Sequence, residues 1–111
     1  MNLPSTSKIA LFSGPNEPLE ISQAPVTAPS KGEILIRNEF VTLCRSDLNT
    51  FVGKRSEPTP TILGHEIVGR VTEKGLGAPE RDERGVTLNE GDRVTWSIYA
   101  SDPYSPLSRR G

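Results

Sequence analysis

Glu33-Ile34-Leu35-Ile36-Arg37-Asn38-Glu39-Phe40-Val41-Thr42-Leu43 is the stretch on which the fold reading turns. Ile34, Ile36, Asn38, Phe40 and Thr42 alternate against Leu35, Arg37, Glu39, Val41 and Leu43, a period of two that belongs to a strand and not to a helix. Both series carry apolar side chains, so the strand is expected to lie centrally in a sheet. The character changes immediately afterwards. Ser46 is a natural N-cap for a short helix through Phe51, with Asp47 at the positive end of its dipole and Gly53 as its stop.

Working outward, Lys8 to Ser13 reads as a first strand, closed by the turn signal Gly14-Pro15-Asn16. A second short strand around Leu19 to Ser22 is placed to pair with it as a hairpin. Pro25 and Pro29 remove backbone donors, so Ala24 to Gly32 is expected as an extended connection. Downstream, the cluster Glu57 to Pro60 leads into Ile62-Leu63-Gly64-His65-Glu66-Ile67-Val68-Gly69-Arg70-Val71, a strand, a bend and a strand. Lys74 to Gly85 is charged and aperiodic and is expected as a solvated loop. Asp92 to Ala100 returns as a strand after the turn Asn89-Glu90-Gly91, and Ser101 to Gly111, with Pro103 and Pro106, reads as an irregular tail. The result is one mainly β domain over residues 1–111, without an internal repeat.

Bulk properties remove several classes of function. A chain of 111 residues with a formal net charge of -1 has no basic surplus, and its lysines and arginines are scattered among acids, so nucleic acid is not an expected partner. A single cysteine makes no internal disulfide, and the first residues lack the apolar run of a signal peptide. No stretch approaches the roughly 18 apolar residues of a membrane span. The expected location is the cytoplasm.

Cys44 and His65 are the only cysteine and the only histidine, each at a bend beside a strand, where side chains can converge. Cysteine, histidine and a carboxylate are all competent zinc ligands, and a catalytic zinc takes about three of them while leaving one position open. Cys44, His65 and Glu66 supply such a set. The same residues are also compatible with a small buried thiol and an ordinary hydrogen-bonded imidazole.

Three segments in order resemble the zinc signature of medium-chain alcohol dehydrogenases and the turn that closes it. They are Cys44-Arg45-Ser46-Asp47-Leu48, Gly64-His65-Glu66-Ile67-Val68-Gly69 and Gly91-Asp92-Arg93-Val94. The likeness implies a GroES-like, partly open β-barrel with short helices, followed beyond Gly111 by a Rossmann domain that binds NAD or NADP. It implies Cys44 as the thiolate and His65 as the imidazole ligand of a catalytic zinc, with Glu66 as the neighbouring acid that approaches the metal and exchanges with its water. Ser46 matches the hydroxyl that contacts the substrate alcohol and starts a proton relay. Asp47 matches the carboxylate that orients the zinc-bound histidine. Arg45 matches a residue that faces the cofactor pyrophosphate. Read by themselves, the last three are also compatible with a helix cap, a first-turn acid and a solvated charge.

The chain also departs from that pattern. Asn49 stands where the family often has a histidine, and an amide cannot carry the relay's last proton near neutral pH. Asp102, Ser105 and Ser108 stand at the spacing of the family's structural-zinc cysteines, and hydroxyls are poor zinc ligands, so no structural zinc and a mobile loop are expected there. Gly75-Leu76-Gly77 lacks the third glycine of a dinucleotide fingerprint. The implied activity is oxidation of a small-molecule alcohol or reduction of a carbonyl with a nicotinamide cofactor, and the isolated chain is expected to be inactive. A zinc-free, quinone-reductase-like relative and a GroES-like binding or assembly module are the alternatives. Oligomeric state is left open, a homo-oligomer included.

Overall fold

The computed structural model describes residues 3–98 of the chain. Thr6–Leu11 (β1) and Glu20–Pro25 (β2) form an antiparallel hairpin in which Ile9 faces Ser22 and Leu11 faces Glu20. Its strands are displaced by one to three residues from their expected bounds, and β2 runs on through Ala24 and Pro25, which were expected in the connection. Asn16, with φ of 58°, and the turn before it carry the chain round, and its amide donates to the Phe51 carbonyl at 2.7 Å.

Ile34–Thr42 (β3), Glu66–Lys74 (β4) and Arg93–Thr95 (β5) make a second, antiparallel sheet in the order β3-β4-β5. The architecture is mainly β with open sheets and one short helix, as the GroES-like expectation required. One detail differs: β4, not β3, is the middle strand. At Gly69 of β4 a Cβ would run into the Ile36 side chain and lie 2.6 Å from the Arg37 carbonyl of β3. The close approach is open only to glycine. Phe40 and Val41, on opposite faces of β3, are both exposed in this chain.

Two further segments depart from expectation. β4 runs on to Lys74, whose ammonium binds Glu80 at 2.9 Å and the Leu88 carbonyl at 3.2 Å, so the stretch after it folds back onto the sheet with Ala78 buried. It is not wholly solvated. β5 is only three residues long, and the remainder of the expected Asp92 to Ala100 strand is either irregular or outside the described residues. The Ser101 to Gly111 tail, with Asp102, Ser105 and Ser108, also lies outside them.

The two sheets are joined where Phe12 and Thr61 exchange backbone hydrogen bonds of 2.8 and 3.1 Å. Phe12 is 2% exposed, and its ring tilts against Phe51 of the helix at a centroid distance of 6.3 Å. Hairpin, helix and the segment that leads to His65 therefore meet at one aromatic side chain. No helix among the described residues is long and apolar enough to cross a membrane.

Phe12→Ala is expected to destabilise the domain by about 3–5 kcal/mol through the cavity it leaves, read as a lowered urea midpoint. On the exposed face of the second sheet, hydrogen bonds from Arg70 and then Arg93 hold the Glu39 carboxyl below its ordinary range. A depressed carboxylate stabilises the fold above its unfolded pKa and loses that contribution as pH falls through the folded one. Glu39→Gln should therefore flatten the acid limb of the stability profile, measured as denaturation midpoints from neutral pH downwards.

Candidate metal centre

Arg45–Phe51 (α1) begins directly after β3, and its N-cap is Cys44, not Ser46. The correction has a local cause. Asp47 sits at the third helical position and reaches back, its Oδ2 accepting the Cys44 amide at 3.0 Å, so the carboxylate performs half of a capping box one turn in. The helix ends as expected, at Val52 followed by Gly53 with φ of 84°.

The other oxygen of Asp47 accepts the Gly64 amide at 3.2 Å and lies 3.5 Å from His65 Nδ1. One carboxylate thus holds the backbone of both bends and faces one ring nitrogen of the histidine. The opposite ring nitrogen, Nε2, stands 3.2 Å from Cys44 Sγ, across a sequence separation of 21 residues. Ser46 Oγ is 2.7 Å from the same sulfur. Asp47 is buried, while the His65 side chain keeps 28% of its surface in solvent.

Among the described residues, Cys44, Asp47 and His65 form a group whose ligand atoms all lie within 4.8 Å of one another. The donor set suits zinc: a thiolate and an imidazole are its preferred soft and borderline ligands, and around a tetrahedral ion they stand roughly 3.5 Å apart. Imidazole Nε2 toward the sulfur with Nδ1 toward a carboxylate is also the arrangement that fixes the tautomer of a metal-bound histidine.

Glu66 is not brought into this group. It is the first residue of β4, and its Oε2 accepts the Thr42 hydroxyl at 2.6 Å across the strand pair. Arg45 is exposed at the start of α1, and Asn49 is half-buried, its carbonyl accepting the amides of Lys54 and Arg55. Two contributors escaped the sequence reading. Thr50 is 2% exposed and donates to the Ser46 carbonyl at 3.0 Å, a back-bond signalled by its spacing of four from Ser46. The Gly64 amide carried no side-chain signal at all.

Two hollows flank His65. One, of about 590 Å³, is apolar and lies over the second sheet between Phe40, Trp96 and Ile98, with Glu66 at its edge. The other, of about 210 Å³, is polar and lies between α1 and the segment from Arg55 to Gly64.

The sequence profile of the alcohol dehydrogenase GroES-like domain matches residues 30–108. The chain belongs to that family. This GroES-like domain is 38% identical over 93 residues to alcohol dehydrogenase 1 of Caenorhabditis elegans, a match covering 79% of the chain and 27% of the relative. To the S-(hydroxymethyl)glutathione dehydrogenase of Haemophilus influenzae it is 40% identical over 89 residues, covering 79% of the chain and 22% of the relative. A crystal structure of an alcohol dehydrogenase from Thermotoga maritima superposes with a TM-score of 0.71 at 32% identity, over 80% of the domain and 24% of that chain. The chain therefore spans about a quarter of the length of the relatives it matches.

Asp47→Ala should leave the Cys44 and Gly64 amides of the GroES-like domain without their acceptor at a largely buried position, costing about 2–4 kcal/mol in chemical denaturation. Asp47→Asn keeps one oxygen acceptor and should lie between the variant and the parent.

Proposed function

We propose that residues 1–111 are the amino-terminal catalytic domain of a zinc-dependent alcohol dehydrogenase whose nicotinamide cofactor is held by a Rossmann domain outside this chain. The reading includes oxidation of a small-molecule alcohol or reduction of a carbonyl with NAD or NADP, in the cytoplasm. It rests on one observation above others: the Cys44 sulfur and His65 Nε2 stand 3.2 Å apart with the Asp47 carboxylate behind the opposite ring nitrogen. Family membership supports it, and so do the activities named for the relatives.

In this reading Cys44 and His65 hold the metal, and Glu66 is the nearby acid that can approach from the β4 side. When bound, zinc supplies Lewis-acid polarisation of the substrate oxygen, and nicotinamide supplies or takes the hydride. The chain's own groups do the remaining work. Asp47 fixes the ring plane of His65 and so the direction of its free lone pair. The Ser46 hydroxyl, beside the sulfur, can accept the alcohol proton and pass it on, because a hydroxyl is donor and acceptor at once. Asn49 does not extend that route, so the proton leaves by another path. Arg45, exposed at the helix start, is free to meet the cofactor's pyrophosphate.

In the full-length enzyme, Cys44→Ser should lower both zinc content and kcat/KM, the latter by more than the roughly hundredfold that loss of an outer partner costs. Metal analysis and steady-state kinetics check it, and retained turnover without zinc would favour the zinc-free, quinone-reductase-like alternative. The purified 111-residue chain is expected to oxidise no alcohol with either nicotinamide cofactor.

A further inference from the structure

We propose that Thr42 is a positioning residue that holds the Glu66 carboxylate away from the Cys44 and His65 site and so keeps a coordination position there open, a proposal that rests on the zinc reading above. Thr42 and Glu66 are the last register pair of the β3–β4 ladder. Cys44 follows Thr42 by two residues, and His65 directly precedes Glu66. The two chains of residues that carry sulfur and imidazole therefore leave the ladder at the pair where the Thr42 hydroxyl donates to Glu66 Oε2 at 2.6 Å. A carboxylate is a competent zinc ligand, whereas a catalytic zinc needs one position left free. Glu66 is exposed, next in sequence to His65, and stands outside the group formed by Cys44, Asp47 and His65. An unrestrained Glu66 competes for the free position.

The restraint comes from Thr42. Both residues line the apolar hollow beside His65, whose walls hold no lysine or arginine. The imidazole is committed, with Nε2 toward the sulfur and Nδ1 toward Asp47. Thr95, the other threonine of the hollow, donates to the Ile67 carbonyl at 2.8 Å. Among the described residues, the Thr42 hydroxyl is thus the side-chain donor that holds Glu66 in the hollow. Its direction is restricted, because a β-branched side chain in a strand has few χ1 choices. With a cation held by Cys44 and His65, the Glu66 carboxylate is drawn toward it across an apolar wall that offers no competing positive charge. The cross-strand hydrogen bond opposes that pull.

The test uses the full-length enzyme loaded with cobalt(II), which accepts the same donors and reports its coordination number through visible absorption. Parent, Thr42→Val, Thr42→Ser and the double variant Thr42→Val/Glu66→Gln are compared, with metal content and thermal midpoint measured on each. Free imidazole is the probe of the open position, so no substrate need be known. Valine keeps the branched shape and removes only the donor. Thr42→Val should weaken the visible absorption, as an added ligand does, and raise the Kd for imidazole about three- to tenfold, the range expected for loss of one hydrogen bond. Thr42→Ser, and the double variant that replaces the carboxylate by an amide, should both return to the parent values. A Thr42→Val enzyme that matches the parent in spectrum and Kd, or a double variant that does not revert, overturns the proposal and leaves the zinc reading standing. A parent that takes up neither cobalt nor zinc overturns both.

Discussion

The carboxylate of Asp47 is the constraint from which the geometry of the site follows. It receives one amide from the bend after β3 and another from the bend before β4, and it faces the imidazole carried by the second. The strands themselves fix the direction of each bend but not the separation of the side chains that emerge from them. Without a shared acceptor, Cys44 and His65 would each be free to rotate with their own loops. A largely buried carboxylate with this many donors is satisfied, whereas any structure that separated the bends would leave it or the two amides desolvated and unpaired. Convergence of sulfur and imidazole is thus favoured by polar satisfaction within the protein.

The apolar interior is small by comparison. Phe12, Val71 and Ala78 are the buried hydrophobic residues among those described, while Phe40, Leu43, Trp96 and Ile98 are exposed. Phe12 matters beyond its size because it touches three parts of the chain: the end of the first hairpin, the helix through Phe51, and the segment bridged at Thr61. The helix that begins at the cysteine and the segment that ends at the histidine are therefore tied twice, once by an aromatic contact remote from the site and once by a carboxylate within it. The site lies between those two ties.

Legibility in the sequence followed the range of the interactions involved. The hairpin, the short helix, its glycine stop and the existence of the three strands of the second sheet came from alternation, capping and turn residues, which are local signals. Strand order did not, because β3 has the richer apolar pattern yet β4 is central, pairing with β3 and β5 through backbone hydrogen bonds that have no side-chain signature. The same distinction holds at the site. Cys44, His65 and Asp47 were singled out by residue type and by resemblance to a family, and they stand together. Glu66 was singled out with them, and its carboxylate is taken up by the Thr42 hydroxyl across the strand pair. Thr50 and the Gly64 amide act through backbone hydrogen bonds that a list of metal-competent residues does not contain.

The change of N-cap from Ser46 to Cys44 has a chemical consequence that reaches the site. A serine at the cap would spend its hydroxyl on the helix's first free amides. Here Asp47 supplies an acceptor to the cap residue's own amide, and Ser46, one position inside the helix, is relieved of capping. Its backbone carbonyl takes the Thr50 hydroxyl, and its side chain turns to the sulfur at 2.7 Å. A hydroxyl held there can exchange donor and acceptor roles without breaking the helix start. The helix is thus capped in a way that leaves a mobile proton beside the thiol, and the same acid that draws the two bends together is the group that makes this possible.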